Sequence, residues 1–159
     1  LLFAAEAYTG TVLRHFADEM EAVVALAFFI PLLIGTGGNT GNQTMAIVIR
    51  ALAGDRVQHT EAARLMRKEL AVSLLNGTVW GAIVGLFAFV FYASAGLGLV
   101  MSSAVVLNLV VAAVTGVAVP LLLHGAGRDP AQGSSVLLTF VTDAMGFFLS
   151  LGLASVFLV

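Results

Sequence analysis

Cysteine is absent from the sequence, which excludes a disulfide framework, a thiolate zinc site and a catalytic thiol while leaving the compartment open. Charge is almost as scarce. Only 10% of the 159 residues are Asp, Glu, Lys or Arg, against 60% hydrophobic, too little polar surface to wrap a soluble domain of this size. A net charge of −2 provides no electrostatic footprint for nucleic acid. The three histidines, His15, His59 and His124, fall in separate polar connections without metal-ligand spacing. The chain begins Leu1-Leu2-Phe3, without the basic start and small-residue cleavage site of a signal peptide, and is read as a helix entered midway.

What the sequence has is apolar runs. A hydrocarbon core of about 30 Å takes roughly 20 helical residues to cross. Charge clusters, glycine and proline mark off five apolar segments, at about 1–13, 22–52, 70–93, 103–123 and 131–158. The expectation is an all-α integral membrane protein of five transmembrane helices, the first truncated, forming one domain over 1–159. Lys and Arg favour the cytoplasmic side of short loops. Arg50, Arg56, Arg64, Arg67 and Lys68 lie around the connection between the second and third segments, and Arg128 in that between the fourth and fifth. Those connections are placed inside and the C-terminus outside, in an inner (plasma) membrane. Glu61 to Glu69 is read as a short interfacial helix, and Ala95 to Ser102 as an outer loop. Gly77, Gly81 and Gly85 recur every four residues, the spacing that lets helices approach closely in lipid. Asn76, Asn108, Thr115 and Gly116 are read as interhelical contacts.

Two segments break the apolar pattern near mid-membrane. The second helix is expected to be broken at its centre by Pro31-Leu-Leu-Ile-Gly35-Thr-Gly37-Gly38-Asn39-Thr-Gly41, because Pro31 removes a donor and the glycines permit unwound backbone. Such backbone survives in a membrane only against protein or a water-filled cavity. Asn39 and Gln43 add amides at the same depth. Neither phosphate-binding pattern is met: Asn42 stands where a Walker loop has Lys, and Thr40 where a dinucleotide loop has Gly. The second segment is the last helix, where Asp143 sits at the middle of an apolar span. An aspartate there costs about 2.5–3.5 kcal/mol on insertion scales and needs a partner, water or an ion. Steps of three and four give a polar and small stripe of Gln132, Ser135, Thr139, Asp143, Gly146 and Ser150, read as one wall of a water-filled path.

The segment from Pro31 to Gln43 resembles the signature of the MgtE magnesium channels, and Thr142-Asp143 followed by Gly146-Phe147-Phe148 resembles that family's second hallmark. The resemblance implies a channel rather than an enzyme: a homodimer with one pore on its two-fold axis, lined by the second and fifth helices and conducting Mg²⁺. It matches Asp143 to the family's pore carboxylate and Asn39 to its pore-lining asparagine. Two copies of Asp143 facing across an axis suit a hydrated dication, with Gly35, Gly38, Ser135 and Thr139 as acceptors for its water shell and Gly146 on the same face. Bacterial members also carry a cytoplasmic domain and paired CBS modules that bind Mg²⁺ and close the pore; these residues contain none, so closure by intracellular Mg²⁺ is expected to be weak. A gradient-coupled secondary transporter is the alternative, and a non-transporting membrane scaffold a third reading.

Overall fold

The computed structural model describes the backbone at residues 2–54 and 59–158, and side-chain surroundings at 24–54 and 61–158. The described residues form four helices: α1 (Leu2–Ala53), α2 (His59–Tyr92), α3 (Ala95–Gly125) and α4 (Ser134–Phe157). Backbone polar groups have no partner in hydrocarbon, so an apolar chain satisfies them within helices. The stretches Val24–Ala53, Glu61–Tyr92, Ala95–Gly125 and Ser134–Phe157 are each long and apolar enough to cross a membrane.

Four helices stand where five were expected. The segments at 1–13 and 22–52 run together in α1, whose 52 residues extend about 78 Å, more than twice a hydrocarbon core. The polar cluster Arg14 to Glu21 contains neither glycine nor proline, and charge alone does not stop a helix. The side-chain surroundings of that cluster lie outside the described residues. The expected interfacial helix is likewise the first part of α2, since no breaker stands between Glu61 and Leu70. The expected outer loop shrinks to Ala93-Ser94. Ser94 caps α3 by accepting from the Leu97 N–H at 3.2 Å, and Ala93 takes a left-handed φ of 49°, a conformation that costs a residue with a Cβ about 1 kcal/mol or more.

The expected break at Pro31 to Gly41 is also not seen: α1 stays helical throughout. Pro31 deprives only one carbonyl, that of Ala27, of its usual partner. Just downstream, Thr36 Oγ1 donates to the carbonyls of Leu32 (2.9 Å) and Leu33 (3.0 Å), and Asn108 Nδ2 donates to Leu33 O at 2.8 Å. The glycines, at about 1 kcal/mol each relative to alanine, are held by packing instead.

α3 is the centre of the bundle. It packs against the other three helices, α1 also meets α4, and α1 and α2 barely touch. The buried core runs from Leu26, Phe29 and Leu33 of α1 through Met101, Val105 and Leu109 of α3 to Val84 of α2 and Ala154 of α4. The spaced glycines of α2 seat it closely on α3. A Cβ on Gly81 would lie 2.8 Å from Ser102 O, and one on Gly85 would lie 2.7 Å from Gly98 O. Large apolar side chains such as Leu75, Val90, Phe140 and Phe148 face outward, which is where lipid takes the place of a core.

Candidate functional site

The packed and open surfaces of α4 follow rows of residues four apart, each row drifting around the helix. Ser134, Leu138, Thr142, Gly146, Ser150 and Ala154 are its buried residues and form one such row. Ser135, Thr139 and Asp143 form the adjacent row, one residue on; the first two are exposed and Asp143 is half-buried. The stripe read from the sequence therefore crosses between rows at the step of three from Asp143 to Gly146. Gly146 and Ser150 both belong to the packed side, away from the open row with which the sequence grouped them. A Cβ on Gly146 would stand 3.1 Å from Ile34 Cγ1 and 3.7 Å from Asn108 Nδ2, and the Ser150 hydroxyl donates to the Gly146 carbonyl at 2.7 Å. Gln132 lies before α4, exposed in the connection.

α1 divides in the same way. Gly37 and Gly41 are buried, whereas Gly35, Asn39 and Gln43, again four apart, are exposed. A Cβ on Gly37 would meet Asn108, and one on Gly41 would lie 2.7 Å from Leu138 Cδ1. A Cβ on Gly35 or on the half-buried Gly38 would meet nothing within 4 Å. The four glycines of the segment thus have two functions in packing terms: two admit neighbouring helices and two leave space open. Because α1 is continuous, the carbonyls of Gly35 and Gly38 serve the helix's own hydrogen bonds and offer only a remaining lone pair.

The open rows of α1 and α4 lie side by side. Ser135 Oγ donates to Asn42 Oδ1 at 3.2 Å, joining them at one end. The result is a polar face of Gly35, Asn39, Asn42 and Gln43 on α1 with Ser135, Thr139 and Asp143 on α4, set in surroundings that include exposed Leu32, Ile47, Val136 and Phe140. Three hydrogen bonds between side chains and other helices organise the described bundle: Ser135 to Asn42, Asn108 to Leu33, and Thr44 to Glu69. Asp143 takes part in none of them. No three His, Asp or Glu among the described residues group as a metal centre, so this face presents one carboxylate per chain.

Of the residues read as interhelical contacts, Asn108 is buried against α1, and Gly116 faces α1, where a Cβ would lie 2.7 Å from Gly41 O. Thr115 is buried; Asn76 is exposed. One polar residue was missed. Glu69 is buried, with Thr44 Oγ1 donating to its Oε2 at 2.8 Å. Its signal was present: Glu69 and Ser73 extend the row Gly77, Gly81, Gly85 backward by two steps of four, so whatever faces α3 at the glycines continues inward at Glu69.

Comparison with known proteins gives a family and a set of relatives. The family described as MgtE, divalent cation transporter, matches residues 30–153. Proteins named magnesium transporter MgtE from Bacillus subtilis, Thermus thermophilus and Enterococcus faecalis are 33%, 37% and 29% identical to this chain over 150, 151 and 150 residues. Each alignment takes in 94% of this chain and 33% of the relative, so the chain spans about a third of the length of the curated relatives it matches.

Proposed function

Because the chain belongs to the MgtE family of divalent cation transporters, we propose that it forms a membrane channel for hydrated Mg²⁺ along the polar face of α1 and α4, completed by a second copy on a two-fold axis. The observation that carries this reading is the open row Ser135, Thr139, Asp143 beside Gly35, Asn39, Gln43. A carboxylate and amides on an open surface at membrane depth are costly against lipid. A second copy applied to the same face removes them from lipid and turns two half-grooves into one path, the self-complementary contact of a two-fold interface.

Mg²⁺ sheds water reluctantly and is often held through its retained shell. In the proposed path the two Asp143 carboxylates attract the dication. Asn39, Thr139 and Ser135 accept hydrogen bonds from its water; the Ser135 hydrogen is committed to Asn42, leaving its lone pairs free. Gly35 and Gly38 keep the wall thin where the hydrated ion passes, because no side chain projects there. A dication about 5 Å from a carboxylate, across one shared water, gains about 1.7 kcal/mol even at the dielectric of water. Two such groups give about 3.3 kcal/mol, roughly two orders of magnitude in occupancy. The polar loops lie on the cytoplasmic side of the plasma membrane and the C-terminus outside, by the distribution of Lys and Arg.

The test is Mg²⁺ flux into vesicles holding purified protein. Asp143→Asn is expected to lower flux by about a hundredfold, on the electrostatic reckoning above, with folding and assembly retained, because losing an intramembrane charge eases insertion. Wild-type flux in that variant would defeat the assignment. Flux that requires a proton or sodium gradient would move the protein to the coupled-transporter class.

A further inference from the structure

Asn108 reaches from α3 to both helices of the polar face. Its Nδ2 donates to Leu33 O at 2.8 Å. A Cβ on Gly37 would overlap that nitrogen and stand 3.2 Å from Asn108 Cγ, and one on Gly146 would stand 3.7 Å from Nδ2. The carboxamide therefore fills the wedge where α1, α3 and α4 meet, 1% exposed. Its Oδ1 is the one buried side-chain nitrogen or oxygen without a hydrogen-bond partner among the described residues. A leucine of similar volume would fill the wedge without burying an unmatched acceptor, so packing alone does not account for an amide. What only the amide supplies is a directed bond to Leu33 O. That carbonyl lies two residues after Pro31, which gives no N–H, and one turn before Gly37. The turn that follows, with Gly35, Gly37 and Gly38, is where α1 has fewest side chains of its own to fix its rotation.

We infer that Asn108 is a positioning residue for the polar face. By anchoring Leu33 O it sets the rotation and height of α1 against α4, and hence the height of Asn39 relative to Asp143. Gly37 is glycine because the amide occupies the place of its Cβ. The inference rests on reading the face as the ion path, so its test includes a measurement that does not depend on transport.

The absence of cysteine makes that measurement clean. Asn42→Cys with Ser135→Cys places one thiol pair where the two helices already touch, and its rate of oxidation to a disulfide by an added oxidant such as copper phenanthroline reports their register. Introduced into this background, Asn108→Leu is expected to leave the thermal midpoint unchanged or raised. It should slow disulfide formation by about tenfold or more, the order by which an ångström-scale misplacement lowers effective concentration. Without the thiol pair, Asn108→Leu is expected to lower Mg²⁺ flux and its ratio to Mn²⁺ flux. Gly37→Ala alone is expected to slow the disulfide as well, because its methyl displaces the amide, and Asn108→Ala added to it to slow it little further, since the bond to Leu33 O is then already lost. Undisturbed cross-linking in Asn108→Leu overturns the inference. So does an Asn108→Ala change that slows the Gly37→Ala protein as much as it slows the parent. A slowed disulfide with flux and ion ratio unchanged would instead overturn the ion-path reading, and the role assigned to Asn108 with it.

Discussion

Thr44→Val isolates the buried hydrogen bond between Thr44 of α1 and Glu69 of α2. Thr44 is 2% exposed, Glu69 7%, and the hydroxyl meets the carboxyl oxygen at 2.8 Å. Valine keeps the shape of threonine and deletes the donor, so the change is read as the loss of one bond rather than of volume. A hydrogen bond to a charged group contributes about 1.5–3 kcal/mol, and leaving a buried acceptor unmet costs about 1–3 kcal/mol. These describe the same loss from two sides and do not add; about 2–3 kcal/mol is the expected total. For a chain of this size a kilocalorie moves the unfolding midpoint by about 2–4 °C, so the midpoint should fall by about 4–12 °C. Glu69→Gln keeps an oxygen for Thr44 to donate to, and the fall should be less than half as large. Trp80, the sole tryptophan, lies on the outer side of α2, and its emission follows the release of α2 during heating in detergent. A Thr44→Val midpoint within about 1 °C of wild type would refute the reasoning, since a bond this buried cannot be lost silently.

Other expectations follow from the rows. Gly38→Leu should fold normally, because a Cβ there meets nothing within 4 Å, yet reduce Mg²⁺ flux by narrowing the path; normal flux would remove Gly38 from the path wall. Gly41→Ala should instead lower the thermal midpoint, because its Cβ would press within 2.7 Å of Leu138, itself fully buried, and overpacking costs about 1–3 kcal/mol. Gly85→Ala drives a methyl to 2.7 Å from Gly98 O, against backbone that cannot rotate away, and is expected to destabilise by a similar amount with α2 and α3 forced apart; an unchanged midpoint would contradict that close approach.

Composition alone made the membrane and the helices legible, because no soluble fold hides so much apolar surface. The helix boundaries were not, for a reason visible at Arg14 to Glu21 and Glu61 to Leu70: charged residues without glycine or proline mark where a chain changes surroundings but leave its hydrogen-bond ladder intact. Pro31 and the glycines misled in the opposite direction. They remove local support for a helix, but Asn108 supplies support from α3 at Leu33, and no local pattern reports a donor 75 residues away. Asp143 and Asn39 could be singled out from cost alone, since polar groups at membrane depth demand an explanation. Glu69 was passed over because it follows Arg64, Arg67 and Lys68 and reads as part of a solvated face, although its place in the row of Gly77, Gly81 and Gly85 pointed inward.

The placement of Gly146 shows what a motif does and does not specify. Thr142, Asp143 and Gly146 lie within little more than one turn of α4, yet Asp143 stands in a different row from the other two. Thr142 bonds back to Leu138 O at 3.0 Å on the packed side, Asp143 looks outward, and Gly146 lets Ile34 in. In the glycine segment Gly37 and Gly41 similarly admit Asn108 and Leu138, whereas Gly35 and Asn39 stay open. Each motif therefore joins a contact that fixes helix position to a group that faces the proposed path, within three residues of each other. That spacing has a mechanical consequence. A side chain aimed into the path moves with the packed row beside it, so precision at Asp143 is set by how tightly Gly146 seats on Ile34. The same holds at Asn39, through Gly37 on Asn108. Substitutions in the packed rows alter transport by moving the open rows, and those in the open rows alter it by chemistry, even when both fall within one motif.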